Sequence, residues 1–210
     1  MTKNRRMHWL IAGLVILIVL VFLKNAWVSE DAFISFRSIT QYWEGNGPRW
    51  NPHERVQVYT SPLWFWTCVL TRPLFPDVFI QILVLSITCL GLFLWVGFRH
   101  FGLNGTGAAA VFSLLLSRSF FDYTTSGLEN MMAVLLLAVF SHNALAAARE
   151  TDSRRSVDTA LLFAGLSLVC RHDLILLTGP AAVHLLIHSR RPASCKTMVR
   201  RLVLLCLPGI

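Results

Sequence analysis

Long apolar runs separated by short polar segments set the pattern of this chain. Hydrophobic residues dominate Trp9–Leu23, Val78–Phe98, Ala108–Leu116, Leu128–Ala148, Val157–Cys170 and Leu174–Ile187. A helix needs about 20 apolar residues to cross a hydrocarbon core of about 30 Å. The second and fourth runs reach that length, the first is read as a span with them at 15 residues, and the others are shorter. The pattern predicts an all-α, polytopic helical membrane protein with about six spans and an incomplete seventh from Leu202 to Ile210. Val157–Cys170 amounts to roughly 21 Å of helix at about 1.5 Å per residue. With Leu174–Ile187 it predicts a helical pair whose tip, Arg171-His172-Asp173, lies below the outer surface. Charges at that depth must pair with each other or line a protein cavity.

The longest interruption, Ser29–Trp66, differs in kind from a linker. It holds four of the eleven acidic residues, two of the three tyrosines and, counting Trp27 just before it, five of the seven tryptophans. Ser29 suits an N-cap, and Glu30 and Asp31 fall in the first turn, where the helix dipole favours acids. A helix from Glu30 to about Glu44 places Asp31, Ile34, Ser35, Ser38 and Tyr42 on one stripe. Gly45-Asn46-Gly47-Pro48 ends it, and Trp50 to Arg55 forms a polar, turn-rich loop. Ser61-Pro62 opens a second, Trp-rich helix that stops at Pro73 and Pro76, which reads as interfacial. The expected organisation is a single transmembrane domain over 1–210, with 29–66 as its first outer loop and a truncated C-terminus.

Composition agrees. The 210 residues are 55% hydrophobic and 14% charged, against about 25% charged in soluble domains. The net charge of +8 does not imply nucleic acid, because Lys and Arg sit between apolar runs rather than on one soluble face. On alternating topology the cytoplasmic segments carry twelve of the nineteen Lys/Arg and three of the eleven acids. That distribution places the N-terminus in the cytoplasm and the 29–66 loop outside, in a cytoplasmic (inner) membrane. No small-residue cleavage site follows Leu23, so the first run reads as an uncleaved span. Five cysteines without a C-x-x-C pair give no disulfide framework.

Three polar clusters fall on the outer side of this topology: Glu30-Asp31, Asp122 to Glu129, and Arg171-His172-Asp173. Ionisable residues at or within the membrane are candidate functional groups. Each cluster also has a plainer role, as dipole-matched acids at a helix start or as a mutual Arg171–Asp173 ion pair. His184 and His188 read as helix-end polar residues and His142-Asn143 as an interhelical hydrogen-bond patch. No zinc motif, nucleophile elbow or phosphate-cradling glycine loop is present, and no metal-binding set is assigned.

Ser29-Glu30-Asp31-Ala32-Phe33-Ile34-Ser35-Phe36-Arg37, Gly47-Pro48-Arg49-Trp50-Asn51-Pro52-His53-Glu54-Arg55-Val56 and Tyr59-Thr60-Ser61-Pro62-Leu63-Trp64 occur in that order. They resemble the first outer loop of GT-C glycosyltransferases, in particular the terminal arabinofuranosyltransferase-like family. Ser126-Gly127-Leu128-Glu129 and Arg171-His172-Asp173 resemble later S-G-L-E and R-P-D motifs of that family, with His172 in place of the proline. The resemblance implies a GT-C-like N-terminal half that transfers a sugar from a polyprenyl-phosphate donor to a glycan or glycoprotein acceptor on the outer face. It implies Asp31 as general base, with Glu30 as the alternative. Arg171 is favoured to neutralise the donor phosphate, with Arg37, Arg55 and Arg118 as other candidates. Glu129 and Asp173 would bind sugar hydroxyls or position the arginine. Trp50, Tyr59 and Trp64 would stack on sugar faces or anchor in the interface. The sugar, the acceptor, the oligomeric state and any divalent cation stay open. So do two other readings, an inactive truncated fragment and a non-catalytic subunit or transporter piece.

Overall fold

The computed structural model describes residues 3–54, 56, 59–102, 104–149, 154–188, 201, 203 and 205. Regular structure among them is helical throughout: α1 (Lys3–Lys24), α2 (Glu30–Trp43), α3 (Pro62–Thr71), α4 (Val78–Phe101), α5 (Gly105–Leu115), α6 (Arg118–Thr125), α7 (Asn130–Arg149), α8 (Arg154–Cys170) and α9 (Ile175–His188). Single 3₁₀ turns at Arg72–Leu74 and His172–Leu174 follow α3 and α8. The chain divides into two compact units, one of Met1–Thr60 with Trp64–Met131, the other of Ser61–Leu63 with Met132–Ile210.

Among the described residues three helices are long and apolar enough to cross a membrane: Arg5–Lys24, Val78–Phe101 and Asn130–Arg149. These correspond to the three long runs of the sequence, and most of their side chains face outward. The expectation of six spans is met only this far, because the other runs fold as shorter helices. The Ala108–Leu116 run and the residues after it do not form one helix. The helix breaks after Leu116, where Ser117 adopts an extended conformation and its hydroxyl accepts from the Phe120 N–H at 3.2 Å, starting α6. That hydroxyl satisfies a donor that a new helix would leave open. Eleven residues of α5 cover only about 16 Å. Most of Leu202–Ile210 lies outside the described residues.

In the first unit α1 packs against α5 and α6, and α4 packs against the same two helices. Asp77 caps α4, its Oδ1 accepting from Phe79 N–H at 2.6 Å and Ile80 N–H at 3.3 Å. At the other end Gly102 (φ 78°) donates to the Phe98 carbonyl at 2.8 Å and turns the chain into α5. The return is so tight that a Cβ on Gly107 would stand 2.2 Å from the Gly102 carbonyl oxygen. The buried Gln81 pins α4 to α3: its amide donates to the Cys68 carbonyl at 2.6 Å and to Thr71 Oγ1 at 2.8 Å. An amide on an apolar helix has to be satisfied by a neighbour where no water reaches.

In the second unit α8 and α9 pack around Val157, Ala160, Leu161, Ala164, Ala182 and Leu185, joined by Phe140 of α7. The alanines let the helix backbones approach closely. Asp158 and Arg201 form a largely buried ion pair at 3.3 Å, which gives Arg201 a specific partner beyond the general excess of basic charge expected of its segment.

Replacing Gln81 by Leu keeps the volume and removes both bridges between α3 and α4. A loss of about 1 kcal/mol is expected, read as a fall of about 2–4 °C in the apparent Tm of detergent-solubilised protein. An unchanged Tm would mean that these bonds do not hold the pair together.

Candidate active site

Helix α2 spans close to the residues its sequence predicts. Asp31 follows Glu30 in the first turn, and the buried face is Ala32, Phe36, Ser38 and Ile39. Phe33 and Phe36 meet Phe79 of α4 edge-to-face, with centroids 5.9 and 6.2 Å away. The C-terminus closes with Gly45 in the left-handed region (φ 84°). Asn46 N–H returns to the Gln41 carbonyl at 3.0 Å and Gly45 N–H to the Tyr42 carbonyl at 3.1 Å, the paired bonds of a Schellman ending.

The N-terminus is held differently from expectation. Ser29 has the extended backbone of an N-cap, but its side chain makes no capping bond. Instead its backbone N–H donates to the Ser126 carbonyl at 2.8 Å. Two indoles add to this attachment. Trp64 Nε1 donates to the Gly127 carbonyl at 3.2 Å, and Trp27 Nε1 to the Asp122 carbonyl at 2.8 Å. Gly127 has φ +82°, and a Cβ there would lie 3.0 Å from Ala32 Cβ and 3.2 Å from Val28 Cγ1. The α6–α7 junction is thus clasped to the start of α2. Glu30 and Asp31 stand exposed beside it, and among the described residues neither carboxylate has a hydrogen-bond or ion-pair partner. Glu129, half-buried, immediately precedes α7.

The loop after α2 is organised by Arg37. Its Nε donates to the Trp50 carbonyl at 3.0 Å and its Nη2 to Asn51 Oδ1 at 2.9 Å, and its guanidinium lies 4.6 Å from the centre of the Trp50 ring. Asn51 Nδ2 in turn donates to Glu54 Oε2 at 3.1 Å. A planar fork that bonds and stacks at once suits arginine and not lysine. Tyr59 stacks on Phe65, ring centres 4.2 Å apart and planes within 8°. Arg118 pairs with Asp122 at 3.4 Å, with its own side chain 94% exposed.

In the other unit Arg171 grips Asp173 with two bonds, Nε to Oδ1 at 3.1 Å and Nη2 to Oδ2 at 2.9 Å. The His172–Leu174 turn forms without the proline of the resembling motif. Arg171 N–H reaches the Ser167 carbonyl at 2.8 Å and Leu174 N–H the Arg171 carbonyl at 3.2 Å.

The structure therefore brings the Glu30-Asp31 and Ser126–Glu129 clusters together in one unit and places Arg171 and Asp173 in the other. Arg37 is engaged in holding its loop. Trp64, only 3% exposed, is a buried hydrogen-bond donor rather than a sugar-stacking or interfacial ring. Arg55 lies outside the described residues. Among the described residues no group of three His, Cys, Asp or Glu side chains is placed to hold a metal ion. Sequence reasoning missed the junction-binding roles of Trp27 and Trp64.

The comparisons bear on this site. The chain is 27% identical to a terminal β-(1→2)-arabinofuranosyltransferase of Corynebacterium glutamicum over 192 residues, covering 79% of this chain and 28% of that protein. It is 24% identical to the protein of the same name from Mycobacterium tuberculosis over 209 residues, covering 89% of this chain and 31% of that protein. The similarity is to terminal arabinofuranosyltransferases. This chain spans less than a third of the length of either relative. No family model and no solved structure matches it.

Arg37→Lys keeps the charge and removes the fork. Amide hydrogens of the 46–54 loop are then expected to exchange about tenfold faster, for a loss of about 1.4 kcal/mol. Exchange at the wild-type rate would show that the loop is ordered without Arg37.

Proposed function

We propose that this protein is a membrane glycosyltransferase that transfers a sugar, arabinofuranose by similarity, from a polyprenyl-phosphate donor to a glycan acceptor at the outer face of the cytoplasmic membrane. The observation that carries the reading is the exposed, unengaged carboxylate pair Glu30-Asp31 at the start of a firmly seated helix. The two relatives, both arabinofuranosyltransferases by name, support the reaction class.

The chemistry asks little of the protein beyond one base and a binding site for phosphate. An acceptor hydroxyl oxygen attacks the anomeric carbon while the bond from that carbon to the phosphate oxygen breaks. Its electron pair leaves with polyprenyl phosphate. The hydroxyl proton passes to the Asp31 carboxylate, which is a suitable general base because it is exposed and open to an incoming hydroxyl. The configuration at the anomeric carbon inverts. A phosphate leaving group needs no proton, so no second carboxylic acid is required. It needs neutralising charge, and Arg171, planar and with Asp173 fixing its orientation, is the favoured group. Arg118, with only a surface carboxylate as partner, is the next candidate. Glu30 stands in reserve as base, and Glu129 and Asp173 serve the sugar hydroxyls or hold the arginine. Trp50 and Tyr59 supply aromatic surface near the loop, and lipid surrounds α1, α4 and α7. A cytoplasmic N-terminus follows from the excess of Lys and Arg in the segments assigned to that side.

Membranes containing this protein, supplied with labelled polyprenyl-phosphate arabinofuranose or polyprenyl-phosphate mannose, test the reading directly. Asp31→Asn should lower transfer about 10²- to 10⁴-fold, the usual worth of a general base, and Glu30→Gln should lower it much less. Equal activity of wild type and Asp31→Asn would remove Asp31 from the mechanism. A wild type that transfers nothing would leave the chain a non-catalytic piece or subunit.

A further inference from the structure

The geometry points to the Ser126-Gly127 turn as a positioning element for Asp31, fixing where α2 begins and so where its first-turn carboxylates stand. This rests on the role proposed for Asp31. The carboxylates have no partner of their own among the described residues, so their placement is set by the backbone that carries them. That backbone is seated at two points on the junction, and the junction itself is held at a third. Ser29 N–H is bonded to the Ser126 carbonyl at 2.8 Å. Val28 and Ala32, just before and just after the pair, both close on the α-carbon of Gly127. The Trp64 indole holds the Gly127 carbonyl from the other helix of the loop at 3.2 Å.

The seat leaves no slack. Ala32 is fully buried, and a methyl group on Gly127 would meet its Cβ at 3.0 Å and Val28 Cγ1 at 3.2 Å, inside ordinary carbon–carbon contact of about 3.5–4.0 Å. Ala32 Cβ is fixed to the helix backbone and cannot swing aside as the end of a long side chain could. The backbone at Gly127 (φ +82°) is also one that side-chain-bearing residues rarely adopt. Relief then requires the first turn of α2 to shift, taking Asp31 with it. Gly127 acts through another group: it is a positioning residue, and Asp31 is the catalytic one.

The test uses the same membrane assay with polyprenyl-phosphate arabinofuranose and compares Gly127→Ala, Ala32→Gly and the double variant. Misplacing a base by a fraction of an ångström to about 1 Å is expected to lower kcat about 10- to 100-fold, with KM changed less than about twofold because binding groups are untouched. In the double variant the methyl opposing the new one is gone, so kcat should recover most of that loss. Its apparent Tm should nevertheless fall below that of Gly127→Ala, because glycine replaces a buried helical alanine. A merely structural role would make activity follow stability, with the double variant the worst of the set. Gly127→Ala with wild-type kcat, or a double variant no more active than Gly127→Ala, overturns the inference while leaving Asp31 in place. A wild type without transfer, or an Asp31→Asn variant as active as wild type, overturns the role of Asp31 and this inference with it.

Discussion

A single backbone amide outside any helical ladder, the N–H of Ser29, finds its acceptor almost a hundred residues away on Ser126. Helix starts ordinarily leave such donors to water or to a capping side chain. Here the cap hydroxyl is unused and the α6–α7 junction does the work. Once that bond is made, the neighbouring contacts follow from it. Gly127 must lack a side chain, Trp64 and Trp27 reach carbonyls of the same junction, and α2 is set at its first residue. The Ser29–Ser126 bond also joins the two sequence clusters richest in candidate chemistry, one from the first loop and one from a hundred residues later.

The two ends of α2 illustrate a division of labour. At its C-terminus the Gly45 turn and the Arg37 fork on Trp50 and Asn51 are local: partners lie within about a dozen residues and give the polar loop a defined course. At its N-terminus the restraints are long-range and come through backbone carbonyls. The carboxylates between these anchors are the groups left uncommitted. A base of the kind proposed at Asp31 has to be held firmly by its backbone while its own oxygens stay available, and this arrangement is compatible with both conditions.

How much of this was legible in the sequence depends on range. The three helices of spanning length follow from apolar runs that admit no other structure, and α2 ends within a residue of its expected boundaries because Ser29 and Gly45 are strong local signals. The break after Leu116 was legible only as the end of an apolar run at Ser117-Arg118-Ser119; that Ser117 would cap a separate helix was not. The Arg171–Asp173 pair was visible because its members are two residues apart. The pairing of Ser29 with Ser126, Trp64 with Gly127 and Trp27 with Asp122 was not, because no periodicity records which carbonyl a distant donor will find. For the same reason the bonds of Arg37 and Trp64 to backbone carbonyls were not legible, since residue type does not say which acceptor a side chain will find. The S-G-L-E resemblance drew attention to Glu129; the structure shows that Ser126 and Gly127 of the same segment contact the start of α2.

Hydrogen exchange resolved to the Ser29 amide, in protein reconstituted into lipid nanodiscs, tests the central constraint most directly. The amides of Glu30 and Asp31, first-turn donors with no intrahelical acceptor, should exchange quickly, and Ser29, one residue earlier, should be protected at least tenfold relative to them. Ser29 exchanging as fast as its two neighbours would mean that the junction does not hold the start of α2, and the account built on that bond would fail.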